Sequence, residues 1–217
     1  MRVSSGIFEM MQTGFWWILL SVALYGIIHS ILASLSVKRW TAAHLGTPTY
    51  QRYYRLFFSF QAFILFLPIL ALAVFLPDQI IYRIPQPWVW LTVILQVLAI
   101  ILLLDSINQT GAMRFIGFEQ ALQKQAGERK LPLVEHGMYR YVRHPIYTNI
   151  FVIMWLMPIM TWNLLALAIG VNLYNMIGAK LEERKLLLEF GQAYDQYRRK
   201  TPFMVPLLKL NKFSRKK

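Results

Sequence analysis

Apolar residues fall along this chain in long runs rather than in narrow stripes, and the runs predict its elements. Phe15–Leu35 and Leu56–Leu76 are predominantly apolar over 21 residues each, and Trp88–Leu104 over 17, the last flanked by Pro87 and Asp105. Leu164–Leu181 is a further run of this kind. About 20 apolar residues suffice to cross a hydrocarbon core as a helix, so each run predicts a transmembrane span. Ile146–Met160 has only 15 residues and ends in "TWN", which reads as a tight turn into Leu164. These last two segments are expected to form a hairpin of short helices in a thinned or protein-lined region. The pattern predicts an all-α membrane protein with about five transmembrane helices, the last two a short helical hairpin, followed by a cytoplasmic C-terminal helix.

Composition agrees with the pattern, since 57% of residues are hydrophobic and only 15% charged, with a mean hydropathy of +0.43. Cysteine is absent. That excludes disulfides, thiolate zinc sites and a cysteine nucleophile, and leaves the redox compartment open.

The net charge of +13 is distributed by topology. Four Lys and Arg lie in Ser36–Arg55, six in Asn108–His144 and eleven from Lys180 onward, which is 21 of 23 and leaves Arg2 and Arg83. Positive charge collects on cytoplasmic loops, so five spans place the N-terminus outside and the C-terminus in the cytoplasm, in the inner membrane if the source is bacterial. Nucleic acid would need a basic soluble face, and no run of polar sequence is long enough to build one. The first apolar run is too long for a signal-peptide core, carries Glu9 in its flank and precedes further spans, so it is expected to be retained. The basic tail "KLNKFSRKK" suits either anionic membrane lipid or simple solvation.

Polar side chains inside spans are costly, about 2.5–3.5 kcal/mol for a central charge. His29 is expected to hydrogen-bond between helices, and Asp105 to lie at the interface. On the last span, Asn172, Asn175, Glu182 and Glu183 share an arc of about 100° with the small Ala179 inside it. Ahead of the preceding span stands "RYVRHPIY". Proline disfavours helical geometry in the residue before it, so His144 is expected outside the helix with Pro145 in its first turn. Cations at a helix N-terminus oppose its dipole, and an anion would relieve that conflict. Arg140 and Arg143 could instead be lipid-headgroup anchors, and Glu182 and Glu183 could pair locally with Arg184 and Lys185. The hairpin would bring the cationic helix start and the acidic helix end together at one boundary, where a ligand bearing both charges would satisfy them.

These residues carry a resemblance. "GMYRYVRHPIY" at Gly137–Tyr147 and "LEERKLLLEFGQAYDQY" at Leu181–Tyr197 resemble the isoprenylcysteine carboxyl methyltransferase family. That superfamily of integral-membrane methyltransferases includes phospholipid N-methyltransferases and methanethiol S-methyltransferases. The motif positions Arg143, His144, Pro145, Tyr147, Glu182, Glu183, Phe190, Gly191, Tyr194 and Tyr197 are all filled, and "TPFMVP" looks like the bacterial thiol-methylating branch. The resemblance covers about Asp105–Pro206 well and the first hundred residues loosely. It implies one membrane domain over 1–217, with three spans in 1–107 and a cofactor-binding catalytic half in 108–217.

The resemblance also implies S-adenosyl-L-methionine at the cytoplasmic mouth of the last two spans. Tyr139, Arg143, His144, Tyr147, Glu182 and Glu183 would contact it, with Arg143 and Glu183 catalytic. Arg143 would orient an acidic acceptor, Glu183 would act as a base or cofactor clamp, and His144 could accept a proton. No metal is expected. No Gly-x-Gly occurs, so a Rossmann site is absent. The acceptor would be a lipophilic or small molecule bearing a thiol, carboxylate or amine and arriving from the bilayer. Two other readings stand beside this one: an NADPH-dependent membrane reductase of the sterol-reductase type, and a non-catalytic transporter or scaffold.

Overall fold

The computed structural model describes residues 2–122 and 132–206. The basic tail from Lys209 onward, and Lys124, Arg129 and Lys130 of the loop before the "RHP" motif, lie outside the described residues.

A short helix α1 (Arg2–Met11) leads into α2 (Phe15–Ala33), the first span. Ser34 ends α2 in extended geometry and its hydroxyl accepts from the Val37 N–H at 3.3 Å, capping α3 (Leu35–Leu45). Helix α4 (Thr47–Phe75) has 29 residues, roughly 43 Å at 1.5 Å per residue. It therefore starts well before the apolar run at Leu56, because "YQRYYR" continues the helix into the interface. Strand β1 (Ile80–Arg83) precedes α5 (Trp88–Gln109), which is followed by the short helices α6 (Ala112–Ile116) and α7 (Phe118–Leu122). A 3-10 turn (Gly137–Arg140) enters α8 (Pro145–Trp155), then come β2 (Ile159–Thr161), α9 (Trp162–Phe190) and α10 (Gln192–Lys200).

Among the described residues, α2, α4, α5 and α9 are long and apolar enough to cross a membrane, and α8 is an apolar helix of 11 residues. The expected all-helical membrane fold holds, but α9, with 29 residues, is not the short hairpin arm expected, and two further corrections apply. First, α8 stops at Trp155, not Met160, because Pro158 cannot continue a helix and pushes Met157 toward extended geometry. Second, the "TWN" stretch is not simply a turn. Ile159–Thr161 pairs antiparallel with β1, matching Ile80 to Thr161 and Arg83 to Ile159. The Thr161 hydroxyl then caps α9 by accepting from the Leu164 N–H at 3.2 Å.

Packing is helix on helix, with α2 against α9 and α4, and α5 against α8. Phe15, Ile18 and Val22 of α2 meet Ile69 of α4 and Ala166 and Leu167 of α9 in the core. Glycine allows the close approach of α2 and α9, since a Cβ at Gly170 would come within 3.0 Å of Val22. Leu20, Phe63, Ile94 and Leu173 point outward and are exposed, as lipid contact requires of a helix in a bilayer.

The two isolated polar residues differ in outcome. Asp105 is exposed and accepts from Gln109 Nε2 at 2.5 Å, which suits its interfacial place. His29 does not make the expected helix-to-helix hydrogen bond through Nδ1, which is buried without a partner. Its ring instead meets Phe58 of α4 at 4.3 Å and Tyr174 of α9 at 5.9 Å between centroids.

Candidate functional site

The site forms where the start of α8 faces the end of α9. His144 is the N-cap of α8 and Pro145 occupies the first turn, as the proline's steric demand requires. The backbone N–H of Arg143 donates to the Pro202 carbonyl at 2.9 Å, and that of His144 to the Phe203 carbonyl at 3.2 Å. Thr148 Oγ1 donates to the Met204 carbonyl at 2.7 Å. Residues 202–204 thus form a strap across the helix start, and the two N–H groups just ahead of α8 are engaged by it rather than open to an anion.

Opposite, α9 continues unbroken past the bilayer to Phe190 and carries both glutamates on the same helix as the asparagine stripe. Asn172, Asn175 and Ala179 are buried. The Glu183 side chain is 16% exposed and that of Glu182 48%, so Glu183 belongs to the buried line and Glu182 to its solvent edge.

The charges converge. Arg143 Nε lies 3.0 Å from Glu183 Oε1, an ion pair by proximity whose Nε–H lacks a well-directed hydrogen bond. Its Nη1 donates to the Arg198 carbonyl at 3.3 Å, and its guanidinium sits over the Phe203 ring at 5.6 Å. His144 is nearly fully buried, with Nδ1 3.6 Å from Glu182 Oε2 and Nε2 3.4 Å from Glu183 Oε1. Tyr147 donates to Glu182 Oε2 at 3.2 Å, and its ring stacks on His144 at 5.6 Å. Tyr139 completes the group: its carbonyl accepts from the Tyr197 hydroxyl at 2.7 Å, and its phenol lies within electrostatic reach of Glu182. All six sequence-predicted residues therefore lie in one cluster.

The electrostatics follow from burial and pairing. Burial alone would lower the His144 pKa, but hydrogen bonding and charge from Glu182 and Glu183 outweigh it and raise the value. Nε2 is within hydrogen-bond distance of Glu183, and Nδ1, at 3.6 Å from Glu182, is close enough for charge attraction but not for a hydrogen bond. Burial, then the Tyr139–Glu182 proximity, pushes the Tyr139 phenol far up. Burial and the Glu183 charge do the same for Tyr194.

These are the features a small zwitterion needs. One guanidinium, one imidazole and two carboxylates gather at one mouth, the Tyr194 hydroxyl lies against Glu183, and Asn175 Nδ2, about two turns deeper on α9, is buried without a hydrogen-bond partner. A guest with an ammonium and a carboxylate would find complementary charge on each side and donors to spare.

The phospholipid methyltransferase family matches residues 87–193, from the start of α5 into α10. Over that stretch the chain is similar to the phospholipid methyltransferases, and its curated relatives are named methyltransferases. Methanethiol S-methyltransferase 1 of Bradyrhizobium diazoefficiens is 29% identical over 191 residues, covering 87% of this chain and 65% of that protein. A methanethiol S-methyltransferase of Crocosphaera subtropica is 26% identical over 200 residues, 88% and 75% of the two chains. The protein-S-isoprenylcysteine O-methyltransferase of Schizosaccharomyces pombe is 32% identical over 125 residues, 48% and 51% of the two chains. The chain thus spans just under two thirds of the first of these relatives. No solved structure matches it.

Two parts of the site are absent from the sequence-predicted set. Tyr194 is buried beside Glu183, and its place in the "FGQAYDQY" segment was a signal for it. The strap at 202–204 corresponds to "TPFMVP", which has no helical or strand period to reveal what it contacts.

Proposed function

We propose that this protein is an integral-membrane, S-adenosyl-L-methionine-dependent methyltransferase. Its acceptor is a small or lipophilic thiol that reaches the site from the bilayer. The observation that carries this reading is the convergence of Arg143 and His144 from α8 with Glu182 and Glu183 from α9. The positive-inside pattern supports a cytoplasmic face for this mouth, with the N-terminus outside and the C-terminus in the cytoplasm. Thiols are favoured over carboxylates and amines because the relatives covering most of this chain carry methanethiol in their names.

Arg143 is suited to the cofactor's carboxylate, and Glu182 and Glu183 to its ammonium. Binding would exchange the Arg143–Glu183 contact for contacts to the guest, so no charge is left unpaired on either side. Bound S-adenosylmethionine supplies an electrophilic methyl on a sulfonium. The protein's part is alignment and exclusion of water, and Tyr139, Tyr147 and Tyr194 wall the charged groups from solvent. A carboxylate held by a guanidinium and an imidazolium is a weak base, so Glu183 acts as a clamp. His144, held between Glu182 and Glu183, positions the carboxylates, and the proton released when the thiol is methylated passes to water at the cytoplasmic mouth.

The test is methyl transfer from isotopically labelled S-adenosylmethionine by the purified full chain in lipid nanodiscs. Thiol, carboxylate and amine acceptors are offered, and NADPH is titrated in parallel. Labelled thioether with no NADPH binding is expected. NADPH binding in place of S-adenosylmethionine, or no transfer to any acceptor class, contradicts the proposal.

A further inference from the structure

Among the described residues, the buried side-chain polar atoms without a hydrogen-bond partner include His29 Nδ1 on α2 and both Nε2 and Oε1 of Gln61 on α4. Burying such groups unpaired is costly, and lipid tails offer them no partner. Their surroundings are aromatic. His29 meets Phe58, Tyr25 and Tyr174 at 4.3, 5.7 and 5.9 Å. Gln61 follows Phe58 by one turn of α4, on the neighbouring position of the same side.

This cluster connects to the charged site along α9. Tyr174, Gly178 and Glu182 succeed one another at four-residue spacing, which places them in one row. The row spans about 12 Å of helix axis. Gly178, in its middle, is only partly buried, and a Cβ there would meet no atom within 4 Å. The contrast with Gly26 is informative, since a Cβ at that position would already press on the Tyr174 ring at 3.0 Å. Tyr147 spans the row from the other side: it donates to Glu182 and lies within electrostatic reach of Tyr174. The space over Gly178, between Tyr174 and Glu182 on the same row, is therefore not filled by the chain and offers a slot.

We propose that this slot binds the methyl acceptor, with His29 and Gln61 hydrogen-bonding the polar atom of a small, neutral thiol among Tyr25, Phe58 and Tyr174. The inference rests on the methyltransferase reading above and names the acceptor side of that site. Neutrality follows from the ring neighbours of His29, which are Phe58, Tyr25 and Tyr174 and carry no charge. The nearby Arg52 and Arg55 of α4 donate instead to the carbonyls of Ala121 and Phe115. A phosphate or carboxylate would have no cation to meet in the slot. Sulfur suits it because thiol and thioether sulfur gains from contact with aromatic ring edges.

The test uses the full chain in nanodiscs saturated with S-adenosylhomocysteine, so that no turnover occurs. Binding of 1-butanethiol and of tetramethylammonium is measured by calorimetry for the wild type, His29→Phe, Gln61→Met and Gly178→Leu. The first two variants remove the polar atoms while leaving an apolar side chain in place, and the third fills the slot. Each is expected to weaken 1-butanethiol at least about tenfold while S-adenosylmethionine affinity stays within about twofold, which also reports an intact fold. Wild type that binds S-adenosylmethionine but not 1-butanethiol, variants whose thiol affinity is unchanged, or preference for tetramethylammonium overturns the acceptor slot alone. Wild type that fails to bind S-adenosylmethionine overturns the methyltransferase reading and the slot with it.

Discussion

Arg143 and Glu183 meet at 3.0 Å across the α8–α9 hairpin, each with less than a fifth of its side chain exposed. Breaking such a pair leaves one charge uncompensated in a weakly solvated place, which costs about 3–5 kcal/mol when burial is complete. Here the residual exposure brings the figure to about 2–3 kcal/mol. Arg143→Met is therefore expected to lower the thermal midpoint in detergent, and adding Glu183→Gln to that variant to restore part of the loss. A double variant that falls by the sum of the two single changes would show that the residues do not interact.

His144 gives the site a pH dependence whose direction is determined by its two carboxylate neighbours. Its folded-state pKa is raised above the ordinary 6.5, so its pairing stabilises the protein fully below about pH 6.5. That stabilisation is lost as pH rises through the folded value. Thermal midpoints measured from pH 6 to 9 should fall on the alkaline side, and Glu182→Gln with Glu183→Gln should flatten this part of the profile. A wild-type midpoint that rises over the same interval would contradict the pairing.

Gly137 begins the turn that delivers Tyr139 and Arg143 to the site, and it adopts φ +58°. A Cβ there would also overlap the Gln109 side-chain amide, which Asp105 holds from the previous turn of α5. Left-handed geometry costs a residue with a Cβ roughly 1–2 kcal/mol, and the displaced amide adds to it. Gly137→Ala should destabilise by at least about 1 kcal/mol and weaken cofactor binding, read as a lower thermal midpoint and a raised Kd. Wild-type values for both would show that the turn is not held as described.

The helical periodicity of α9 made its buried line legible. Asn172, Asn175 and Ala179 repeat at spacings that one face of a helix satisfies, and the structure buries them; of the two glutamates expected on that arc, Glu183 is largely covered and Glu182 is exposed. His144 and Pro145 were equally legible, because the steric rule for the residue before proline is local. The parts that escaped depend on remote partners. Ile159–Thr161 becomes a strand because β1, far away in sequence, presents its edge. Pro202, Phe203 and Met204 form a strap because their carbonyls meet donors on Arg143, His144 and Thr148. His29 was expected to hydrogen-bond between helices, yet its ring found aromatic neighbours and left Nδ1 unpaired. No local pattern distinguishes those outcomes.

Calorimetric binding of S-adenosylmethionine to the full chain in nanodiscs, for wild type, Arg143→Ala and Glu183→Gln, tests most directly whether the two helices share a zwitterionic guest. Wild type should bind, and each variant should bind at least about tenfold more weakly, a loss of about 1.4 kcal/mol or more. Equal affinity in all three proteins would place the cofactor elsewhere and contradict the site.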